Sequence, residues 1–100
     1  MIYSEPVVID GKTAIAIQVK LPQTTLLIIT TDKGYMMCGA LDVKLLNERL
    51  NDRRIIAARA LGVKSISELL DAPLESVTDQ AQAMGIVPGM IGREAILRMM

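Results

Sequence analysis

The sequence predicts an α+β fold, an antiparallel or mixed sheet of about four strands followed by four or five short helices packed on one face. Three observations carry that prediction. Apolar residues alternate with a period of two in the first forty positions; after Gly39 they recur at spacings of three and four; and strand signals precede helix signals instead of alternating with them. At 100 residues the chain is near the usual size of one domain, so residues 1–100 are expected to form one, strand-rich over 1–40 and helical over 41–100.

Taken in order, Val7, Val8 and Ile9 lead into Asp10-Gly11, a dipeptide suited to a hairpin turn. From Thr13 to Lys20 the chain alternates, with Ile15, Ile17 and Val19 on one face and Ala14, Ala16, Gln18 and Lys20 on the other. Leu21-Pro22-Gln23 breaks that run. Thr24 to Thr31 reads as a third strand whose centre, Leu26 to Ile29, is apolar on both sides, as in a strand covered on both faces. Asp32-Lys33-Gly34 turns into a short buried strand, Tyr35 to Cys38. Asp42 then fits an N-cap, with Val43, Leu46 and Leu50 striping the helix behind it and Lys44, Asn47, Glu48 and Asn51 left for solvent.

Beyond that helix, Asp52 reads as the cap of a second one carrying Ile55, Ile56, Ala58 and Ala60 and stopping at Gly62. Ser65 with Glu68 forms a capping box for a short helix ending near Asp71-Ala72-Pro73. Leu74, Val77, Ala81 and Met84 share one helical face closed by Gly85, and Arg93 to Met99 makes the last helix.

Composition narrows the function. Eleven basic and eleven acidic residues cancel, which argues against a nucleic-acid binder or an electrostatic membrane binder. No stretch is long and apolar enough to span a bilayer, the start lacks the pattern of a signal peptide, and one Cys cannot form an internal disulfide, so the expected location is cytoplasmic. Apolar residues are 51% of the chain with no Phe or Trp and seven Met. In so small a chain that surplus points to apolar surface buried against another copy. The helices would cover one sheet face, to which Leu46, Leu50 and Ile55 would turn, and a dimer or tetramer would bury the other, through Ile15, Ile17, Val19, Leu27 and Ile29, with Ala14 and Ala16 taking that side instead if the isoleucines meet the helices.

Three segments carry a resemblance: GYMMCGALDV, then LNERLNDRRIIAARALGVKSISELLDAP, and GMIGREA near the end. They resemble the YunC-like family of small bacterial and archaeal domains of unknown function, over almost the whole chain. The resemblance implies an N-terminal β region used for tetramerisation. It implies no activity, substrate or cofactor.

Several chemistries are closed. Without His there is no Ser-His or Cys-His pair and no zinc site of normal composition, so neither metal nor cofactor is expected. No phosphate-binding glycine loop of standard spacing is present. Asp71, Glu75 and Asp79, four apart, read as one solvated helix face and not as a cation site.

Two constellations remain. Cys38, before Gly39 and a helix start, is either a small apolar filler or a nucleophile with Asp42 accepting its proton. Gly39 provides a backbone bend or room for a ligand. Arg54 and Arg59 flank a small-residue run and are either paired structurally or placed to clamp an anion, whereas Arg49 and Arg53 read as surface charge. The sequence therefore supports a self-associating module that binds a small anionic ligand or a protein partner, with a thiol-dependent enzyme or redox sensor as the alternative.

Overall fold

A computed structural model describes residues 1–100, the side chain of Asn51 apart, so the expected solvent exposure of that residue lies outside the described residues. Six strands form one mixed sheet in sequential order: β1 (Ile2–Ile9), β2 (Lys12–Leu21), β3 (Thr24–Thr30), β4 (Tyr35–Met37), β5 (Ala57–Arg59) and β6 (Ser76–Val77). Four helices accompany it: α1 (Val43–Glu48), α2 (Ile66–Asp71), α3 (Asp79–Ala83) and α4 (Gly92–Met99), with a 3-10 turn at Asn51–Arg53. The fold is α+β, with two more strands than the sequence suggested.

The first three strands follow from turn chemistry. Ile9 pairs with Lys12 across Asp10 and Gly11, both at positive φ (50° and 79°), the type I′ geometry that matches the twist of a two-stranded ribbon. Leu21 pairs with Thr24 across Pro22-Gln23, where Pro sets the first turn residue and Gln23 takes the positive φ of 63°. β1 is an edge strand and carries Pro6, a residue that edges tolerate because it cannot donate to a ladder.

Ile55 to Ala60 do not form the expected helix. The backbone leaves the 3-10 turn through Arg54 at φ 53°, and Ala57 to Arg59 enter the sheet parallel to Tyr35 to Met37. β4, α1 and β5 thus make a βαβ unit inside a chain otherwise ordered strands first, and residues 41–100 are not purely helical. Leu74 and Val77 are likewise not helical: Val77 lies in β6, and α3 begins only after Thr78. Asp71, Glu75 and Asp79 consequently share no helix face. Asp71 closes α2, Glu75 precedes β6 and Asp79 opens α3.

The helices occupy both faces, which corrects the one-face expectation. Alternation sets Met36 and Ala58 on one side, in the main core with Ala14, Ala16, Leu27, Ile29, Leu69, Ile86, Ala95, Ile96 and Met99. Tyr35, Met37 and Ala57 point to the other side, where α1 covers them with Leu41, Val43 and Leu46, and Leu50 and Ile55 pack alongside. α2, α3 and α4 therefore cover the main-core face, and Leu46, Leu50 and Ile55 cover the opposite one over β4 and β5 only.

Two of the three expected N-caps form, at Asp42 and Ser65, whereas Asp52 lies inside the 3-10 turn and caps no helix, because the chain after it enters the sheet as β5. Asp42 Oδ1 accepts from Leu45 N at 3.0 Å, and Ser65 Oγ accepts from Glu68 N at 3.1 Å while Glu68 Oε1 accepts from Lys64 N at 3.3 Å. Thr78, which sequence reasoning passed over, is buried, and its Oγ1 accepts from Ala57 N (3.1 Å) and Ala81 N (3.3 Å), tying β5 to the start of α3. Among the described residues no helix is long and apolar enough to cross a membrane.

Candidate functional site

The sheet's first three strands have one face without a helix. The β2–β3 register pairs Ile15 with Thr30, Ile17 with Ile28 and Val19 with Leu26, and the β1–β2 register adds Ile2, Ser4, Pro6 and Val8 to the same face. Ile15 is 41% exposed and Val8 65%, while Ile17, Val19, Leu26 and Ile28 are half-buried by their neighbours. With Thr13, Leu21 and Thr24 completing the alternation, no position on this open face of β1 to β3 is charged. Glu5, Lys12 and Lys20 all lie on the face that the helices partly cover. That is the reverse of what a solvated sheet face presents.

The alternation of β2 turns Ile15, Ile17 and Val19 away from the helices, the side on which they were expected. Ala14 and Ala16, each 1% exposed, meet the main core, because alanines let the layer above approach the sheet closely, and the larger isoleucines face out. β3 resolves correspondingly. Leu27 and Ile29, expected at an interface, are fully buried in the chain's own core, and Leu26 and Ile28 occupy the open face instead.

Cys38 is 7% exposed and packs in the main core; its Sγ accepts from Leu27 N at 3.5 Å, and its own N donates to Leu27 O at 3.1 Å. Asp42 is exposed and holds the N-cap of α1. Gly39 is exposed, and Leu61 Cδ2 lies 3.2 Å from where a Cβ would stand. Among the described residues, Cys38, Gly39 and Asp42 line none of three cavities of about 700, 420 and 280 Å3. The one of about 700 Å3 is lined by Lys12 to Ile15, Thr30 to Lys33, Met99 and Met100.

The two arginines part company. Arg59 is tied down: Nε and Nη2 reach Glu75 Oε2 at 2.9 and 2.8 Å, and Nη1 donates to Leu41 O at 3.0 Å. Hydrogen bonds from Ser76 and from Arg59 hold the Glu75 carboxyl below the usual carboxylate range. Arg54 is exposed and lies on the other side of β5's entrance, lining a cleft with Arg53 and Lys33. The expected Arg54–Arg59 clamp does not form. Among the described residues no three metal-ligating side chains gather.

With this geometry in hand, comparison with known proteins is direct. The family described as a domain of unknown function (DUF1805) matches residues 37–99. At 55% identity over 100 residues, spanning 100% of this chain and 99% of the other, the chain is similar to the uncharacterized protein YunC of Bacillus subtilis. The chain belongs to this YunC-like, DUF1805 family. A crystal structure of a protein of unknown function, TA1206 from Thermoplasma acidophilum, superposes on it with a TM-score of 0.89 at 32% identity, covering 100% of this chain and 94% of that one. The DUF1805 match opens at Met37, so the β1–β3 face described above precedes the matched segment, whereas Cys38, Gly39, Asp42, Arg54 and Arg59 all fall within it.

Proposed function

We propose that this DUF1805 chain is a cytoplasmic, self-associating binding module in which the open face of β1 to β3 packs against the same face of another copy. One observation carries the reading: three adjacent strands turn Ile2, Val8, Ile15, Ile17, Val19, Leu26 and Ile28 outward with no charge among them. A fully exposed side chain of this kind forgoes about 1.5–3 kcal/mol relative to full burial, and the half-buried Ile17, Val19, Leu26 and Ile28 forgo part of that. A face without charge suits an identical face, since a symmetric contact sets like against like and charges near its axis would repel. Burial of Cys38 favours a module over thiol chemistry. The assembled mass in solution, measured by light scattering, tests the proposal.

A further inference from the structure

We infer that the cleft between the β3–β4 turn and the entrance to β5 binds a compact phosphate-type oxyanion through Lys33, Arg53 and Arg54, a reading that rests on the chain being a binding module. Thr31 to Tyr35 line one side and Arg53 to Ile56 the other, around about 280 Å3. Pockets for larger ligands start at about 300 Å3, so this one suits a group of phosphate size.

Charge and pairing select the ligand. Three cations and one carboxylate, Asp32, line the cleft, a net charge of +2 (three minus one). None of the four joins an ion pair among the described residues, where the pairs are Arg59 with Glu75 and Arg93 with Asp71. Lys33 and the two arginines are far apart in sequence. They are brought together by the parallel start of β4 and β5, fixed by Tyr35 N donating to Ile56 O at 3.1 Å. Thr31 Oγ1 already accepts from Lys33 N and Gly34 N, and the charged donors of the cleft are side chains: two guanidinium forks, whose paired N–H groups match the oxygens of a tetrahedral anion, and one ammonium.

Arg54 adds an independent sign. Of seven positive-φ residues among the described residues, four are Gly, and Asp10 and Gln23 sit in two-residue hairpin loops; Arg54, at φ 53°, is the exception. Glycine would hold this backbone without strain, yet a long cation occupies it at the cleft. An outlier of this kind is where functional constraint is to be sought.

Titration with inorganic phosphate at low ionic strength, followed by amide chemical shifts and calorimetry, tests the site. The expected result is saturable shifts confined to residues 31–35 and 53–56. Binding should weaken about tenfold or more in Arg53→Gln with Arg54→Gly, since charge-assisted forks supply most of the contact. Arg54→Gly alone should weaken binding while melting no lower than the parent, because glycine relieves the backbone. Parent-like binding by the double variant, non-saturating shifts spread over all surface cations, or a lower melting temperature for Arg54→Gly overturns the assignment. Light scattering on the same samples reports assembly separately, so a monomer that still binds phosphate at this cleft defeats self-association and sustains the anion site.

Discussion

Ile17 on β2 lies opposite Ile28 on β3, on the sheet face that no helix covers, while their chain neighbours Ala16 and Leu27 are buried beneath the main helical layer. One residue of register separates the chain's own core from its open surface. Ile17→Lys with Ile28→Lys should therefore keep the fold and abolish assembly. Leu27→Lys should unfold the chain, because an unpaired charge would replace a fully buried leucine whose removal alone costs about 2–5 kcal/mol. Circular dichroism and sedimentation of both variants separate the two effects.

Arg59 holds three elements together, reaching Leu41 O before α1 and Glu75 before β6 from its place on β5. Its side chain is 25% exposed, so Arg59→Ala should cost less than stripping a partner from a fully buried ion pair, about 1.5–3 kcal/mol. Thermal melts measure it. A variant within a degree or two of the parent would make this arginine a surface charge.

Glu75 adds a pH dependence whose sign is fixed. Its carboxyl is held low in the folded chain by Ser76 and Arg59, so it binds protons less readily folded than unfolded. The stability it contributes is present above the unfolded carboxylate value and is lost as pH falls through the lowered folded one. Glu75→Gln should melt below the parent at about pH 7 and converge with it at about pH 2. A constant gap across that range would assign the loss to something other than ionisation.

Gly92 opens α4 against α2 and β4. A Cβ there would meet Leu69 O and come within 2.9 Å of Met36 Cε. Helix propensity favours Ala over Gly by about 1 kcal/mol, but overpacking against backbone costs about 1–3 kcal/mol, so Gly92→Ala should destabilise. Denaturant melts with an unchanged slope and a lower midpoint would show it.

Cys38 offers a test of thiol chemistry. Packed beneath the main helical layer, it should react with a maleimide in the folded chain far more slowly than in denaturant. Fast labelling of the native protein would revive the nucleophile reading.

The N-terminal strands were legible because alternation and the turn residues Asp10-Gly11 and Pro22-Gln23 act locally. Which face of β2 would be buried was not, since Ala14 with Ala16 and Ile15 with Ile17 are both apolar pairs, and only the closeness of the helices chooses the alanines. Ile55 to Ala60 misled for a related reason: small and apolar residues at those positions fit a helix stripe as well as a short parallel strand. The strand wins through pairing with Tyr35 to Met37, a tertiary contact with no local signature. The stripe Val43, Leu46 and Leu50 announced a helix without saying which side of the sheet it would cover. For the site, sequence paired Arg54 with Arg59 by spacing, and the strand between them sends Arg59 to Glu75 and leaves Arg54 beside Arg53 and Lys33.

The measurement that bears most directly on the open β1–β3 face is the mass of the parent chain by light scattering at micromolar concentration. Self-association through Ile15, Ile17, Val19, Leu26 and Ile28 predicts at least two chains of 10.9 kDa, falling to one in Ile17→Lys with Ile28→Lys. A parent that stays a folded 10.9 kDa monomer contradicts it.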